Sequence, residues 1–189
     1  DSTGFHTMTT SLWMSVKHLK PIKKKDFVKL HATTRTKTNT IAFASISMKH
    51  DSPEFREHAK QIKRLEYKVE DWVADAAYLA RQNCTIVHEL GGFPYFKPKK
   101  NTKSIALGHP AWKQMIWLWK KDKEKFKTHY HQRSNSETDF FSIKSILGAF
   151  TRARNIIGQT NELLSKVFIH NLRQLCHALY ELDINIWPT

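Results

Sequence analysis

Glu137 stands in a helix-patterned stretch with Tyr130, Arg133 and Lys144, spaced Tyr130-x2-Arg133-x3-Glu137-x6-Lys144. On a continuous helix turning 100° per residue, these four side chains fall within roughly 60° of one another. A carboxylate binds a hard cation, and Arg and Lys suit phosphate oxygens, so one face presents both parts of a surface for handling phosphodiesters. The plainer alternative is a solvated polar face with an incidental Arg and Glu pair. Asp139, two residues on, lies about 200° round the helix and faces away.

The elements around this stretch can be read from the hydrophobic pattern. Phe27-Val28-Lys29-Leu30-His31-Ala32 alternates as a half-buried strand, and Thr40 to Ile46 is a second, β-rich one. The polar Arg35 to Asn39 stretch between them is short enough for a hairpin, so the two should pair antiparallel. Asp51-Ser52-Pro53-Glu54 reads as a helix start, running to about Lys63. Val69 to Ala74 is a stretch carrying a short strand with Asp75 at its C-terminal end, and Asp71 reads as preceding the strand proper. A helix from about Leu79 to Leu90, closed by Gly91-Gly92, leads to Phe93-Pro94-Tyr95-Phe96 as the last strand.

From Pro110 the pattern is helical, broken near Gly148, with a long amphipathic stretch from about Gln159 to Leu182. Leu163, Leu164, Val167, Phe168, Leu172, Leu175 and Leu179 should line one face packed on a sheet. The order strand, hairpin strands, helix, strand, helix, strand, helices predicts an α/β, ribonuclease H-like mixed sheet flanked by helices, with a helical C-terminal part. The chain should form one domain over residues 1–189.

Lys and Arg total 31 against 17 Asp and Glu, a formal charge of +14, which favours a polyanionic partner through counterion release. No run approaches the ~20 apolar residues of a membrane span, and no signal peptide is visible, so a soluble intracellular protein is expected. Cys84 and Cys176 lack CxxC spacing, which argues against a disulfide framework, and both read as buried small hydrophobes. The 11 histidines form neither HExxH nor a close Cys/His cluster, so zinc is not expected.

The full Tyr130, Arg133, Glu137 and Lys144 spacing resembles the Y-R-E-K signature of the DDE transposases of bacterial and archaeal insertion sequences. Ser136 to Lys144 followed by Gly148 resembles that family's extended glutamate motif, and Gln159-Thr160-Asn161-Glu162-Leu163-Leu164 through Asn171-Leu172 the helix after it. Val73-Ala74-Asp75-Ala76-Ala77-Tyr78 resembles the second-aspartate motif, although Ala77 stands where the family often has Gly, which should constrain the backbone. Asp1-Ser2-Thr3-Gly4-Phe5 resembles the first-aspartate motif, and Lys29-Leu30-His31 and His50-Asp51-Ser52 also sit where related chains carry similar residues. The resemblance covers nearly all of the chain and implies further residues upstream. As the first residue, Asp1 would add a charged amino group beside the site.

The resemblance implies a catalytic and metal-binding triad of Asp1, Asp75 and Glu137. In isolation, Asp75 would read as a turn or cap residue and Asp1 as a disordered terminus. Three carboxylates can hold two Mg²⁺ ions, with Mn²⁺ as a substitute, the arrangement used for in-line phosphoryl displacement. The implied reactions are nicking at transposon ends and transfer of the 3′-hydroxyl into target DNA. The implied partner is double-stranded DNA, with homo-oligomers on paired ends, no membrane, and a cytoplasmic, nucleoid-associated setting. Tyr130, Arg133 and Lys144 would hold the backbone near the scissile bond, with Lys97, Lys99, Lys100 and Lys103 as outlying phosphate contacts. The Lys23-Lys24-Lys25 patch is also basic. Lys120 to Lys127 reads as an exposed helix face, and Trp112, Trp117 and Trp119 as buried packing rather than platforms for flipped bases. Two readings compete with the transposase: a transposase-derived DNA-binding protein without cleavage, and a ribonuclease H-like nuclease without strand transfer.

Overall fold

A computed structural model describes residues 1–7, 27–47, 51–103 and 109–181. Lys23-Lys24-Lys25, His50 and Leu182 lie outside the described residues. The elements in order are β1 (Ser2–Thr7), β2 (Phe27–Arg35), β3 (Thr40–Ser47), α1 (Asp51–Arg64), β4 (Asp71–Ala74), a 3-10 turn (Ala76–Tyr78) and α2 (Arg81–Glu89). There follow β5 (Phe93–Phe96), α3 (Ala111–Lys121), α4 (Lys123–Tyr130), a 3-10 turn (His131–Arg133), α5 (Ser134–Leu147), β6 (Phe150–Thr151) and α6 (Ile156–Tyr180). The class is α/β, with a mixed sheet flanked by helices and a helical C-terminal part, consistent with a ribonuclease H-like fold. By its contacts the chain forms two compact units, one of Asp1 with residues 49–137 and the other of residues 2–48 and 138–189.

The second unit holds a four-stranded sheet ordered β3-β2-β1-β6. β2 pairs antiparallel with β3, as the hairpin reading required, and also with β1; the turn between β2 and β3 places Asn39 in the left-handed region at φ 50°, which Asn tolerates. β6 pairs parallel with β1 through His6 and Phe150, so Phe93–Phe96 is not the last strand. Two residues give no periodicity to read, and Phe150 gains its strand geometry only from the β1 edge. Phe5, Val28, Leu30, Phe140, Ile143, Leu163 and Val167 form the core, each worth about 1.5 to 3 kcal/mol on full burial.

Two polar side chains of α6 tie it to this sheet. Asn171 donates Nδ2 to Ile41 O at 2.9 Å and accepts from Ile41 N at 2.8 Å, satisfying backbone groups of the edge strand β3. Lys166 donates to Gly148 O at 2.9 Å and Phe150 O at 2.7 Å, clasping the β6 segment. The face predicted to pack on the sheet is only partly buried: Leu163 and Val167 are inside, whereas Leu164, Phe168 and Leu172 are exposed. Helical spacing places residues on one stripe, but that stripe is wider than the sheet contact. Cys84 is buried as expected; Cys176, on the outer side of α6, is exposed.

The first unit is built around aromatic contacts. Phe55 of α1 packs on Trp72 of β4, Tyr78 and Phe96 of β5, with ring centroids 5.0 to 6.2 Å apart. β4 and β5 pair in parallel, joined through α2, which starts at Arg81 rather than Leu79. Gly91 ends α2 at φ 84°, and a Cβ on Gly92 would come within 2.7 Å of Val69, so both glycines at this turn are sterically required.

Candidate active site

All three candidate acids fall in the first unit. Asp1 immediately precedes β1, Asp75 follows β4, and Glu137 lies in the first turn of α5. Asp75 N-caps the short turn Ala76–Tyr78, its Oδ1 accepting from Ala76 N at 2.6 Å. Ala77 belongs to that 3-10 turn and has no positive φ, so the absent glycine costs nothing here. A 3-10 conformation suits Ala as well as Gly.

Arg133 joins the acids. Its Nη1 lies 3.3 Å from Asp1 Oδ2 and its Nη2 2.7 Å from Glu137 Oε1, so one guanidinium is forked between two carboxylates. Burial works against the Arg133 cation, but its hydrogen bond to Glu137 and the charges of Tyr130, Glu137 and Asp75 outweigh it and raise its pKa. Tyr130, half-buried, has its phenol pKa raised, chiefly by burial, with Arg133 opposing and Asp75 and Glu137 adding to the rise. The mutual influence of Tyr130, Arg133, Asp75 and Glu137 marks them as one electrostatic cluster.

The Tyr130 to Lys144 stretch departs from a single helix. The 3-10 turn His131–Arg133 separates α4 from α5, so constant 100° steps do not apply across it. Lys144 belongs to the second unit, where its ammonium donates to Thr3 Oγ1 at 2.6 Å and lies 5.3 Å over the Phe5 ring. Burial lowers its pKa. Asp139 is buried in the second unit, 3.4 Å from His170 Nε2. Asp71, in contrast, does not precede its strand: it is the first residue of β4, 2.6 Å from His129 Nδ1, and His129 stacks flat on Tyr95 at 4.7 Å. No sequence signal links Asp71 to His129, because 58 residues separate them.

Lys97, Lys99, Lys100 and Lys103 are exposed in the segment after β5, which is held to α3 by Trp112 Nε1 donating to Lys103 O at 3.2 Å. The Lys120 to Lys127 run is largely exposed, as predicted, but is split between α3 and α4 at Asp122. Among the tryptophans, Trp112 is buried and Trp119 packs edge-on against Phe126, while Trp117 is exposed with Lys121 Nζ 4.6 Å from its ring centre. Burial was expected for all three, and the outward side of α3 excludes Trp117 from it. Among the described residues no three His, Cys, Asp or Glu side chains are gathered closely enough to form a metal cage. No helix among them is long and apolar enough to cross a membrane.

The family described as Transposase DDE domain matches residues 1–172. The chain belongs to that family. This transposase DDE domain therefore comes from a group that acts on DNA and generally uses divalent metal ions. No curated protein and no solved structure matches it.

Proposed function

We propose that residues 1–189 act as one catalytic domain of an insertion-sequence transposase of the Y-R-E-K group, cutting DNA at transposon ends and joining the 3′-hydroxyl to target DNA. Asp1, Asp75 and Glu137 are assigned as the metal-binding acids. The observation that carries this reading is the Arg133 guanidinium forked between Asp1 and Glu137, with Asp75 close enough to act on it electrostatically. A side chain that draws separate carboxylates around one positive charge fits a site that takes cations. The donors are hard oxygens, as Mg²⁺ or Mn²⁺ requires, and release of Glu137 and Asp1 from Arg133 would free them to bind metal.

A bound divalent cation would supply Lewis-acid activation of the attacking hydroxyl and offset charge on the leaving oxygen. The chain's own groups do the rest. Arg133, released from the acids, can pair bidentately with a phosphate, and Tyr130 beside it can donate to a further phosphate oxygen. The raised phenol pKa keeps that proton in place at neutral pH. In the first reaction water attacks phosphorus and the bond to the 3′-oxygen breaks, leaving a 3′-hydroxyl and a 5′-phosphate. In the second that hydroxyl attacks a target phosphorus, and the target's 3′-oxygen leaves. Lys144 is assigned to the backbone near the cut, and Lys97, Lys99 and Lys100 to phosphates farther off. Oligomers on paired double-stranded ends complete the proposal.

The test compares wild type with Glu137→Gln in cleavage and strand-transfer assays on cognate end DNA with Mg²⁺ or Mn²⁺, in a protein extended upstream of Asp1. Cutting and joining lost in the variant, with DNA binding kept, supports the proposal. Binding without chemistry in either protein refutes it and favours a transposase-derived DNA-binding protein. Cutting without joining would instead indicate a nuclease.

A further inference from the structure

Arg56, Lys60 and Lys63 of α1 are exposed, and all three line one open groove between α1 and α2. Their spacing of four and three residues puts them within about 60° of one another, at rises of about 6 and 4.5 Å. The groove floor is apolar, made by Ala59, Ile86 and Leu90, and Glu89 is its one acidic member. None of the three cations forms an ion pair with a carboxylate among the described residues. Glu57, the nearby exposed acid of α1, accepts from Gln61 Nε2 at 2.8 Å instead.

We infer that this groove is a second DNA-contacting surface, in which Arg56, Lys60 and Lys63 track successive phosphates of one strand. The inference rests on the transposase reading for its partner, but on residues apart from the candidate triad. A row of exposed cations matches a row of phosphates, the groove gives their aliphatic stems an apolar bed, and the sugar edge can lie over the same floor. Such contacts position a duplex without reading its sequence, so the surface suits DNA of arbitrary sequence. It stands on the packed α1 and α2 scaffold rather than on a loop, so the cations are held in register before binding.

The measurement is the salt dependence of binding to a short DNA duplex of arbitrary sequence, comparing wild type with the triple variant Arg56→Gln, Lys60→Gln, Lys63→Gln. Three lost phosphate contacts should reduce the slope of log K against log salt by about 2.7 and weaken binding at least about ten-fold at low salt. Unfolding temperatures should match, because all three side chains are exposed. Glu89→Gln, which removes the opposing charge, should strengthen binding by up to about five-fold. An unchanged slope in the triple variant, with wild type binding normally, overturns this surface and leaves the transposase reading intact. Wild type that binds no duplex overturns both, and loss of cutting in Glu137→Gln with the wild-type slope kept supports the catalytic reading alone.

Discussion

Replacing Arg133 with Ala tests whether the candidate acids form one site, and it does so without any DNA. The guanidinium makes two contacts. The one to Glu137 spans i to i+4 on a side chain 55% exposed, so solvent screening leaves it about 0.5 kcal/mol. The one to Asp1 joins groups 24% and 17% exposed at 3.3 Å and should contribute about 1 kcal/mol. Their sum of about 1.5 kcal/mol corresponds to a melting temperature roughly 3 to 6 °C lower for a chain of this size. Thermal unfolding of both proteins in EDTA reads this directly. With excess Mg²⁺ the deficit should shrink, because a cation bound only by the folded state stabilises it and would replace the missing positive charge among the acids. A variant that melts within about 1 °C of wild type in EDTA would refute the reasoning about Arg133, since a loss of about 0.5 kcal/mol or less would leave only the surface pair. A deficit that Mg²⁺ leaves untouched would sink the assignment of Asp1 and Glu137 as metal ligands.

Two further outcomes follow from the thiols and the buried phenol. At pH 8 an alkylating reagent should label Cys176, which is exposed, and leave Cys84 unmodified until the chain unfolds; mass mapping of the labelled peptides checks this. Burial pushes the Cys84 thiol up to about 12, and burial with the Asp71 charge pushes the Tyr95 phenol up to about 12. The unfolded chain loses these protons first, so the folded state binds more protons between pH 9 and 12 and its stability falls across that window. Urea titrations should show roughly 2 to 4 kcal/mol less stability at pH 11 than at pH 8, and Cys84→Ala should flatten the decline. Burial lowers the pKa of Lys144 and Lys166, which opposes the trend, so equal slopes in Cys84→Ala and wild type would disprove the Cys84 share.

The elements with regular patterns are legible in the sequence alone. Alternation and the Arg35 to Asn39 spacing predict the β2 and β3 hairpin, Asp51-Ser52-Pro53 marks the start of α1, and Gly91-Gly92 closes α2. The spacing of Tyr130, Arg133 and Glu137 likewise identifies residues that the fold gathers into one electrostatic cluster. These features depend on neighbours within a few residues, where backbone geometry fixes which side chains share a face.

What the tertiary structure alone decided lies at long sequence separation. The pairing of β6 with β1, the bond between Asp71 and His129, the clasp of Asn171 on Ile41 and the reach of Arg133 to Asp1 each join residues dozens of positions apart or more. So does the choice of buried residues on α6: Leu163 and Leu164 are adjacent and equally apolar, yet only Leu163 meets the sheet. A local pattern can state that a face is apolar or charged. Which part of it loses its water depends on what the rest of the chain places against it, and that is fixed only when distant segments pack.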